Sequence, residues 1–414
     1  MKNSNPSRRD FLATSAMVVG AATSFAAAAE KLKPQTGPAP AKIKADQTIR
    51  IGLIGAGGRG RDLIRSTFAW NQLNNVKFVA LADPNGANIA TMLESLEGWG
   101  CKDRPEVYTG ENDWRDKILA RTDIDAVLIA TPCNMHAMMY LAAFVAGKHF
   151  YGEKPLCLTV QEADAIVQAQ ERNPEVKCQV GFQRRGSSWY QRAVQEIHNG
   201  MLGDLFEGRG GWRVSDPPGL PGSKTSAWLG RREHSGDWML EQACHTWDVM
   251  HWVTKELPVA ASGAGRNDLF KEIDPKRDVT DFYVAYLEYP SGMICDFEHN
   301  WLCPQFDDQW KFSGMYERFT GTNGSLALGE WPQDATYYPS KGTGKVIKLE
   351  EKFPDTTKEA LRGYFQCLRD GSAVASNVQH GRAATLTGLL VRKAVYEKRR
   401  VEMKEILKPS LKLF

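Results

Sequence analysis

The feature that most constrains the fold is a glycine-rich turn that follows an apolar run. Residues 49–60 read IRIGLIGAGGRG, so a strand-like segment leads directly into the pattern Gly55-x-Gly57-x-x-Gly60. In a strand–turn–helix unit the first glycine permits the tight turn, the second lets the backbone approach a pyrophosphate, and the third lets the helix pack on the strand. Phosphates then bind the free N–H groups of the helix N-terminus. The pattern predicts a dinucleotide-binding turn that also contains Gly58.

An acidic residue after the next apolar run fits the same interpretation. Residues 76–82 (VKFVALA) lead into Asp83, 23 residues after Gly60, which is close to the spacing of an acid that binds the ribose hydroxyls. A carboxylate there would repel a 2′-phosphate, so NAD(H) is favoured over NADP(H). Arg59 and Arg61, inside the turn, could soften that preference by binding phosphate. A glycine turn without a ligand is the alternative, and it leaves Asp83 unexplained.

The first thirty residues have the features of an export signal. Arg8 and Arg9 precede an apolar, small-residue stretch, 11–29, that closes with three alanines. This resembles a twin-arginine signal peptide (1–29) cleaved near Ala29, which places the mature protein in the periplasm or outside the cell and makes the translocation machinery a transient partner. An uncleaved membrane anchor is the alternative, but a span needs about 20 well-apolar residues and this stretch is diluted by serine, threonine and glycine.

The composition bounds the possible partners. Lys and Arg together number 52 and Asp and Glu 49, giving a net charge of +3, so nothing indicates nucleic acid or an anionic membrane surface. The eight cysteines show no CxxC pair and no zinc-like spacing, so we predict no metal site and expect most of them to be small buried side chains. Disulfides are permitted in an oxidising compartment, but the sequence does not pair them.

The length and the order of apolar runs predict two domains. A chain of 414 residues exceeds what one hydrophobic core usually supports. Strand-like and helix-like segments alternate over 47–181, which predicts an α/β Rossmann domain with a parallel, doubly wound sheet. Residues 182–414 are rich in strands and predict a second, α+β domain, whereas 30–46 read as a mobile linker. The predicted strands beyond the first two are 125–130, 149–152, 178–181, 206–214, 259–266, 282–289, 293–301 and 319–328.

Two strand ends of the first domain carry polar residues toward the same edge of the sheet. Ligands of open α/β sheets bind at the carboxyl ends of the strands. The cofactor-binding residues predicted there are Thr131, Pro132, Asn134 and His136 after strand 125–130, and Glu153 and Lys154 after strand 149–152. Partial desolvation would lower the pKa of Lys154 into a range useful for proton transfer. A surface lysine on a loop is the alternative.

A glycine loop and a helix over 235–250 carry a second group of candidates, with Asp237 as the N-cap. Glu241 and His245 are four residues apart, which places them on one helix face. A carboxylate beside the imidazole would raise the pKa of the ring, as suits a general acid or base near neutral pH. Asp248 could equally be that partner, and a core histidine satisfied by a neighbouring carboxylate is the alternative.

Together these elements resemble the Gfo/Idh/MocA family of oxidoreductases, named for glucose-fructose oxidoreductase and inositol dehydrogenase. The matches span most of 47–330; they are GAGGRG at 55–60, Asp83, ATPxxxH at 130–136, EKP at 153–155, the His245 helix and, more weakly, a turn between late strands at 321–326. The resemblance implies that Lys154 lies beside the nicotinamide and acts in catalysis. It also implies that Arg184 and Arg185 lie near cofactor and substrate. The second domain would contain a large open antiparallel sheet that builds a homodimer or homotetramer. Glu241 departs from the family, which has aspartate at this position.

The resemblance implies an NAD(H)-dependent oxidoreductase that acts on a sugar, polyol or sugar derivative. The export signal predicts that it is exported with a tightly bound cofactor. Catalysis would rest on Lys154, His245 and Glu241, and substrate binding on Lys154, Arg184, Arg185 and His245. No free dinucleotide is expected outside the cytoplasm, so the cofactor must be regenerated in place. A second substrate could do this, or the redox-neutral oxidation–elimination of a related NAD-dependent glycosidase branch, whose Tyr-Pro-Thr-His type segment this chain lacks. A non-catalytic binding protein is the third reading.

Overall fold

The computed structural model describes residues 36–69, 75–215, 217–222, 226–304, 313–340 and 344–408. The predicted signal peptide, 1–29, lies outside these ranges. The first sheet has six parallel strands in the order β3-β2-β1-β4-β5-β6, which confirms the predicted Rossmann architecture. Its strands are β1 Ile49–Ile54, β2 Val76–Ala82, β3 Glu106–Tyr108, β4 Ala126–Ile129, β5 His149–Gly152 and β6 Cys178–Val180.

The first sheet is covered on both faces, as its sequence requires. All four residues of β4 (AVLI) are buried, since a parallel strand packs helices on either side. The connecting helices are α1 Gly58–Ala69, α2 Gly86–Gly98, α3 His136–Val145 and α4 Val160–Arg172, with a π-helical segment at Trp114–Leu119 and a 3₁₀ turn at Cys133–Met135.

The second sheet is mixed rather than purely antiparallel. Within the described ranges it has nine strands in the order β14-β13-β12-β11-β7-β10-β9-β8-β15, of which only β7 and β10 pair in parallel. The residues of β9 alternate between core and solvent, as expected for a sheet with one packed face. The strands are β7 Leu205–Arg213, β8 Ala260–Arg266, β9 Phe282–Glu288, β10 Ile294–Asn300, β11 Gly314–Gly321, β12 Gly324–Trp331, β13 Gln333–Pro339, β14 Ile347–Lys348 and β15 Val401–Glu402.

The prediction of one strand over 319–328 is wrong, because the chain reverses there. β11 and β12 form a hairpin whose turn is Thr322-Asn323, with Gly321 opposite Gly324. An Asn-Gly pair is a strong hairpin signal, and it coincides with the late turn predicted at 321–326.

Further helices place the packed face of the second sheet against the first domain. These are α5 Gln183–Gly186, α6 Ser188–His198, α7 Arg232–Ser235, α8 Trp238–Glu241, α9 Cys244–Thr254, α10 Thr356–Asp370, α11 Val378–Glu397 and α12 Met403–Leu407. The sequence analysis missed α10 and α11. Helix α10 packs against α1, and α11 packs against α4, α9 and β8, so residues near the C-terminus of the described chain join both sheets.

The predicted linker is attached to the first domain over its described part. The Gly37 amide donates to Asn173 Oδ1 (2.7 Å), and Ile43 is buried. All eight cysteines are free thiols, seven of them buried, in accord with their predicted role as small core residues. Within the described ranges, no helix combines the length and apolar character needed to cross a bilayer.

Candidate active site

The glycine turn has the geometry that its spacing predicts. Gly55 has φ +94°, and a side chain there would lie 2.5 Å from the Ala130 carbonyl oxygen. A side chain at Gly60 would collide with the Gly55 carbonyl, whereas one at Gly58 would meet no atom within 4 Å. The turn therefore has no room for a side chain at Gly55 or Gly60, whereas the space around Gly58, at the N-terminus of α1, is open. This is the shape of a backbone cradle that accepts a pyrophosphate.

Asp83 lies at the end of β2 directly against this turn. Its Oδ2 accepts hydrogen bonds from the Ala56 amide (2.8 Å) and from Asn88 Nδ2 (3.1 Å), and its Oδ1 accepts from the Asn85 amide (2.8 Å). The carboxylate thus braces the turn from the side where the ribose of a dinucleotide would lie. Each carboxylate oxygen retains acceptor capacity, so these bonds leave ribose binding chemically open.

Arg59 is held by protein carboxylates rather than left free for phosphate. Its Nε donates to Glu153 Oε1 (2.7 Å), and its Nη1 donates to Asp62 Oδ2 (3.0 Å) and Thr357 Oγ1 (3.2 Å). Burial disfavours the charge, but the acidic groups around the guanidinium, Glu153 first and then Tyr151 and Asp62, together outweigh burial and raise the Arg59 pKa. Arg59 was predicted to bind the cofactor. Its side chain instead links the glycine turn to the EKP element, through the buried Glu153.

His136 also has a role different from the predicted one. The ring is buried, with Nδ1 2.7 Å from the Pro155 carbonyl oxygen and Nε2 2.9 Å from that of Thr131. Both nitrogens are therefore engaged by backbone, and burial lowers the pKa of the ring. His136 fastens the two strand-end loops to each other and offers no free nitrogen to a cofactor, which corrects the prediction.

The remaining residues of that loop lie at its accessible edge. Thr131 and Pro132 are half-buried, and Asn134 is exposed. Asn134 Nδ2 lies 3.1 Å from Nδ1 of His234, which belongs to α7. The cofactor-side loop is thereby joined to the second domain at the mouth of the site.

Lys154 and Glu241 form the central pair of the site. Lys154 Nζ donates to the Glu241 carbonyl oxygen (2.6 Å) and to its Oε1 (2.9 Å), and both side chains are mostly buried. Burial alone would lower the Lys154 pKa, but the Glu241 carboxylate and the other acidic groups around the ammonium, Glu153 among them, together outweigh burial and the net shift is upward. The expected depressed pKa is therefore wrong, and Lys154 is a cation with one of its three N–H donors unused among the described residues.

Glu241 and His245 do not share a helix face, because the helix breaks between them. Helix α8 ends at Glu241, and α9 begins at Cys244. Asp237 caps α8 from an unusual conformation (φ +72°), accepting from the Trp238 amide (2.7 Å). This one-turn helix directs Glu241 to Lys154, so the predicted carboxylate–imidazole pair does not form.

His245 is consequently an uncharged imidazole. It is buried between the rings of Trp212 (6.1 Å, 17°) and Phe182 (6.1 Å, 80°), and its Nδ1 has no hydrogen-bond partner among the described residues. Burial and the positive charge of Lys154 lower its pKa well below 6.5, the reverse of the predicted shift. A neutral ring beside an ammonium group can accept a proton from a substrate that binds between them.

The two arginines predicted to bind substrate are used within the protein. Arg184 pairs with Glu317 and Glu330, and Arg185 donates from Nε to Asp248 (2.8 Å). Both guanidinium groups are buried, so the predicted contact with substrate does not fit this geometry. The pairing also accounts for Asp248, the alternative partner proposed for His245.

Sequence reasoning missed the residues that surround His245 and Glu241. Phe182 and Trp212 stack on His245, and His299 of β10 contacts Gln242 in the helix break. Gln242 could have been found from its place beside Glu241. The position of His299 depends on strand pairing, for which no local signal exists.

Known proteins resemble this chain over both domains. The model described as "Oxidoreductase family, NAD-binding Rossmann fold" matches residues 49–182, and that described as "GFO/IDH/MocA C-terminal domain" matches 190–327. Scyllo-inositol 2-dehydrogenase (NAD(+)) of Bacillus subtilis (strain 168) is 28% identical over 317 residues, or 72% of this chain and 86% of that protein. A glycosyl hydrolase family 109 protein of Shewanella sp. (strain W3-18-1) is 30% identical over 209 residues, or 48% of this chain and 44% of that protein.

The fold has a solved counterpart. A levoglucosan dehydrogenase in complex with NADH and levoglucosan superimposes with a TM-score of 0.70, covering 86% of this chain and 100% of that chain at 21% identity. With the matched family model, this confirms the predicted NAD-binding Rossmann domain.

Proposed function

We propose that this chain, which belongs to the Gfo/Idh/MocA family of NAD-dependent oxidoreductases, oxidises a secondary hydroxyl group of a sugar, polyol or sugar derivative. The observation that carries the proposal is the buried His245 ring, whose Nδ1 has no partner among the described residues, together with the buried Lys154–Glu241 ion pair. The named activities of the inositol and levoglucosan dehydrogenases support the substrate class.

The roles of the two basic residues follow from their charge states. Neutral His245 accepts the proton of the substrate hydroxyl, and the unused N–H of Lys154 donates to the same oxygen and stabilises its developing negative charge. Glu241 holds the ammonium group in place by two hydrogen bonds. Bound nicotinamide supplies the acceptor for the hydride that leaves the carbon, so the product is a ketone and the proton remains on His245.

The proposed cofactor site is the edge formed by the glycine turn and the two strand-end loops. Gly55, Gly57, Gly58 and Gly60 would receive the pyrophosphate, and Asp83 would bind the ribose. Thr131 and Pro132 would line the nicotinamide side with Lys154. We propose that the cofactor stays bound through turnover and is reoxidised by a second substrate.

Export and self-association are further parts of the proposal. The twin-arginine pattern at Arg8 and Arg9 supports delivery of the folded protein, with its cofactor, to the periplasm or beyond. Three apolar side chains are exposed on one face of two neighbouring strands of the second sheet: Val284, Tyr286 and Ile294. Such a patch supports a homo-oligomer, because monomers rarely expose contiguous apolar surface.

A redox-neutral glycosidase is the second candidate. It is favoured by the similarity to the family 109 protein, although the match spans less than half of that relative's length. In that mechanism the hydride returns to the substrate, so reduced cofactor would not accumulate.

The test is the nicotinamide absorbance of mature protein purified without added cofactor, before and after mixing with polyols, sugars and aryl glycosides. Stable reduction by a polyol or sugar is the expected result, followed by reoxidation with a second carbonyl compound. Release of the aryl group without net reduction would favour the glycosidase. Absence of nucleotide, reduction and cleavage would reject both enzymes in favour of a binding protein.

A further inference from the structure

Gln242 lies in the helix break between the two halves of the proposed catalytic group. It follows Glu241, and its carbonyl oxygen accepts a hydrogen bond from the His245 amide (3.1 Å). Its side chain reaches the sheet, where Oε1 lies 2.9 Å from His299 Nε2. The amide is therefore held at a fixed place beside the residues that face the reacting hydroxyl.

His299 is itself held firmly by aromatic rings. It is fully buried on β10, stacked between Trp238 (5.9 Å, 7°) and Tyr283 (5.4 Å, 5°), with Trp301 edge-on at 5.0 Å. Burial lowers its pKa to about 3, so the ring is neutral at working pH. Since Nδ1 has no partner among the described residues, the single ring proton belongs on Nε2, where it donates to Gln242.

The sheet brings Gln242 and His245 to the same row of side chains. His299 of β10 is directly paired with Trp212 of β7, and Trp212 stacks on His245. The imidazole of His245 thus contacts Trp212, and the amide of Gln242 contacts His299, its cross-strand neighbour. With Oε1 bonded to His299, the NH₂ group of Gln242 carries two donors that no described residue accepts.

We propose that Gln242 is a specificity-determining residue whose amide donates to a second substrate oxygen, on the carbon next to the one oxidised, and that His299 is the positioning residue that orients it. This inference rests on the proposed function. Sugars and polyols carry vicinal oxygens, so an amide donor beside the reacting hydroxyl would read the neighbouring hydroxyl group. A compound without that oxygen would leave the donors unpaired, which costs affinity.

The test uses the holoenzyme and the panel compound that reduces its cofactor, together with the deoxy analogues of that compound. We expect the parent to be preferred over the analogue that lacks the vicinal hydroxyl by about 10²-fold in kcat/KM. Gln242→Met, which keeps the shape but removes both donors, should reduce this preference at least tenfold, mainly by raising KM for the parent. Gln195→Met, an exposed glutamine on α6, is the matched control and should change nothing.

His299→Phe separates positioning from packing. The phenyl ring keeps the stacking with Trp238 and Tyr283 but cannot donate to Gln242. We expect it to lower the preference in the wild-type background and to add no further loss in Gln242→Met. An additive loss in the double variant would mean that His299 acts through general packing and would overturn its positioning role.

The resting protein offers an independent readout. Nitrogen-15 NMR of labelled histidine should show His299 protonated on Nε2 and shifted by Gln242→Met; protonation on Nδ1 would mean that the amide is reversed and would overturn the inference. Reduction of cofactor with unchanged preference in Gln242→Met would overturn the inference alone. If no sugar or polyol reduces the wild-type holoenzyme, the proposed function falls and the inference falls with it.

Discussion

Two buried clusters of charge lie side by side in this molecule, and they differ in what they leave unpaired. In the first, Lys154 makes two hydrogen bonds to Glu241 and keeps a third N–H. In the second, Glu317 accepts from Arg184, from Tyr190 Oη (3.1 Å) and from Thr246 Oγ1 (2.7 Å). In the second cluster both carboxylate oxygens of Glu317 accept from protein donors, whereas in the first Lys154 retains an N–H that no described residue accepts, near the buried His245 ring.

The clusters are so close that adjacent residues of one helix serve each of them. His245 lies within the field of Lys154, and Thr246, the next residue of α9, donates to Glu317. Proximity to the site therefore does not identify a catalytic charge. What identifies it is a donor or acceptor that the protein itself leaves unused, since only such a group can act on a substrate.

The largest effect should come from removing the unsatisfied cation. Lys154→Met removes the donor and the positive charge at the reacting oxygen, and we expect kcat to fall about 10³-fold or more with bound cofactor retained. Single-turnover reduction of the cofactor by the panel substrate measures this step. Lys177→Met, whose ammonium contacts only backbone carbonyls of Gly371 and Ser372 among the described residues, is the control. Full turnover in Lys154→Met would remove Lys154 from the mechanism.

Breaking the Arg184–Glu317 cluster should instead lower the stability of the fold. Arg184→Met leaves Glu317 buried without its cation, and we expect a loss of about 3–5 kcal/mol in the free energy of unfolding. Arg184→Met with Glu317→Leu should recover part of that loss, because no unpaired charge remains. Urea unfolding at pH 7 measures both variants.

An exposed ion pair gives the stability loss with which that of Arg184→Met can be compared. Arg209 bonds to Asp296 on the open face of the sheet, and Arg209→Met should cost less than about 1 kcal/mol. If Arg184→Met were no more costly than Arg209→Met, the distinction between the two clusters as structural and catalytic would fail.

The sequence predicted the positions of Lys154 and Glu241 along the chain better than it predicted their partners. Strands β1, β2 and β5 begin and end where their apolar runs do, so Lys154 could be placed at a strand end without the structure. The pairing of Glu241 with His245 assumed one continuous helix. Nothing in the composition of Gln242-Ala243 marks the break. The helix before it starts at Asp237, whose positive φ and bonds to Thr280 and Tyr396 join distant parts of the chain.

Predicted pKa shifts were reversed for the same reason. Desolvation lowers the pKa of an isolated lysine, and a neighbouring glutamate raises the pKa of a histidine. Here, however, the Glu241 carboxylate pairs with Lys154 instead of His245. Arg184 and Arg185 were assigned to substrate by position along the chain. Their true partners, Glu317 and Asp248, lie 133 and 63 residues away, beyond any local pattern.

A third class of buried group, the neutral histidines, should make the free energy of unfolding fall at acid pH. Burial lowers the pKa of His149 to about 4 and of His380 to about 3, against 6.5 in the unfolded chain. The unfolded state therefore binds protons below pH 6.5 while the folded state does not, so stability falls as pH decreases from 6.5 toward 4. Each such histidine should cost about 2 kcal/mol between pH 7 and pH 5.

Urea unfolding across that range measures the slope. His149→Gln keeps an acceptor for the Lys177 amide, which now bonds to Nδ1 (3.0 Å), but removes the titrating group. The slope of unfolding free energy against pH should fall by up to about 1.4 kcal/mol per pH unit. An unchanged slope would show that His149 titrates normally in the folded state and that the ion-paired carboxylates dominate the acid response.

The smallest effect concerns Asp83, which accepts three protein donors and is also proposed to bind the ribose. It is the sharpest test of the idea that a functional group keeps a donor or acceptor unused by the protein. Asp83→Ser removes the negative charge that repels a 2′-phosphate and loosens the glycine turn at Ala56. We expect the ratio of NAD⁺ to NADP⁺ affinity to fall about tenfold, equivalent to about 1.4 kcal/mol, as measured by calorimetry on protein freed of nucleotide. Glu106→Gln, which removes an exposed carboxylate from the neighbouring strand β3, should leave the ratio unchanged. Equal loss of affinity for both nucleotides in Asp83→Ser would mean that Asp83 only braces the turn and that its acceptors, like those of Glu317, serve donors of the protein itself.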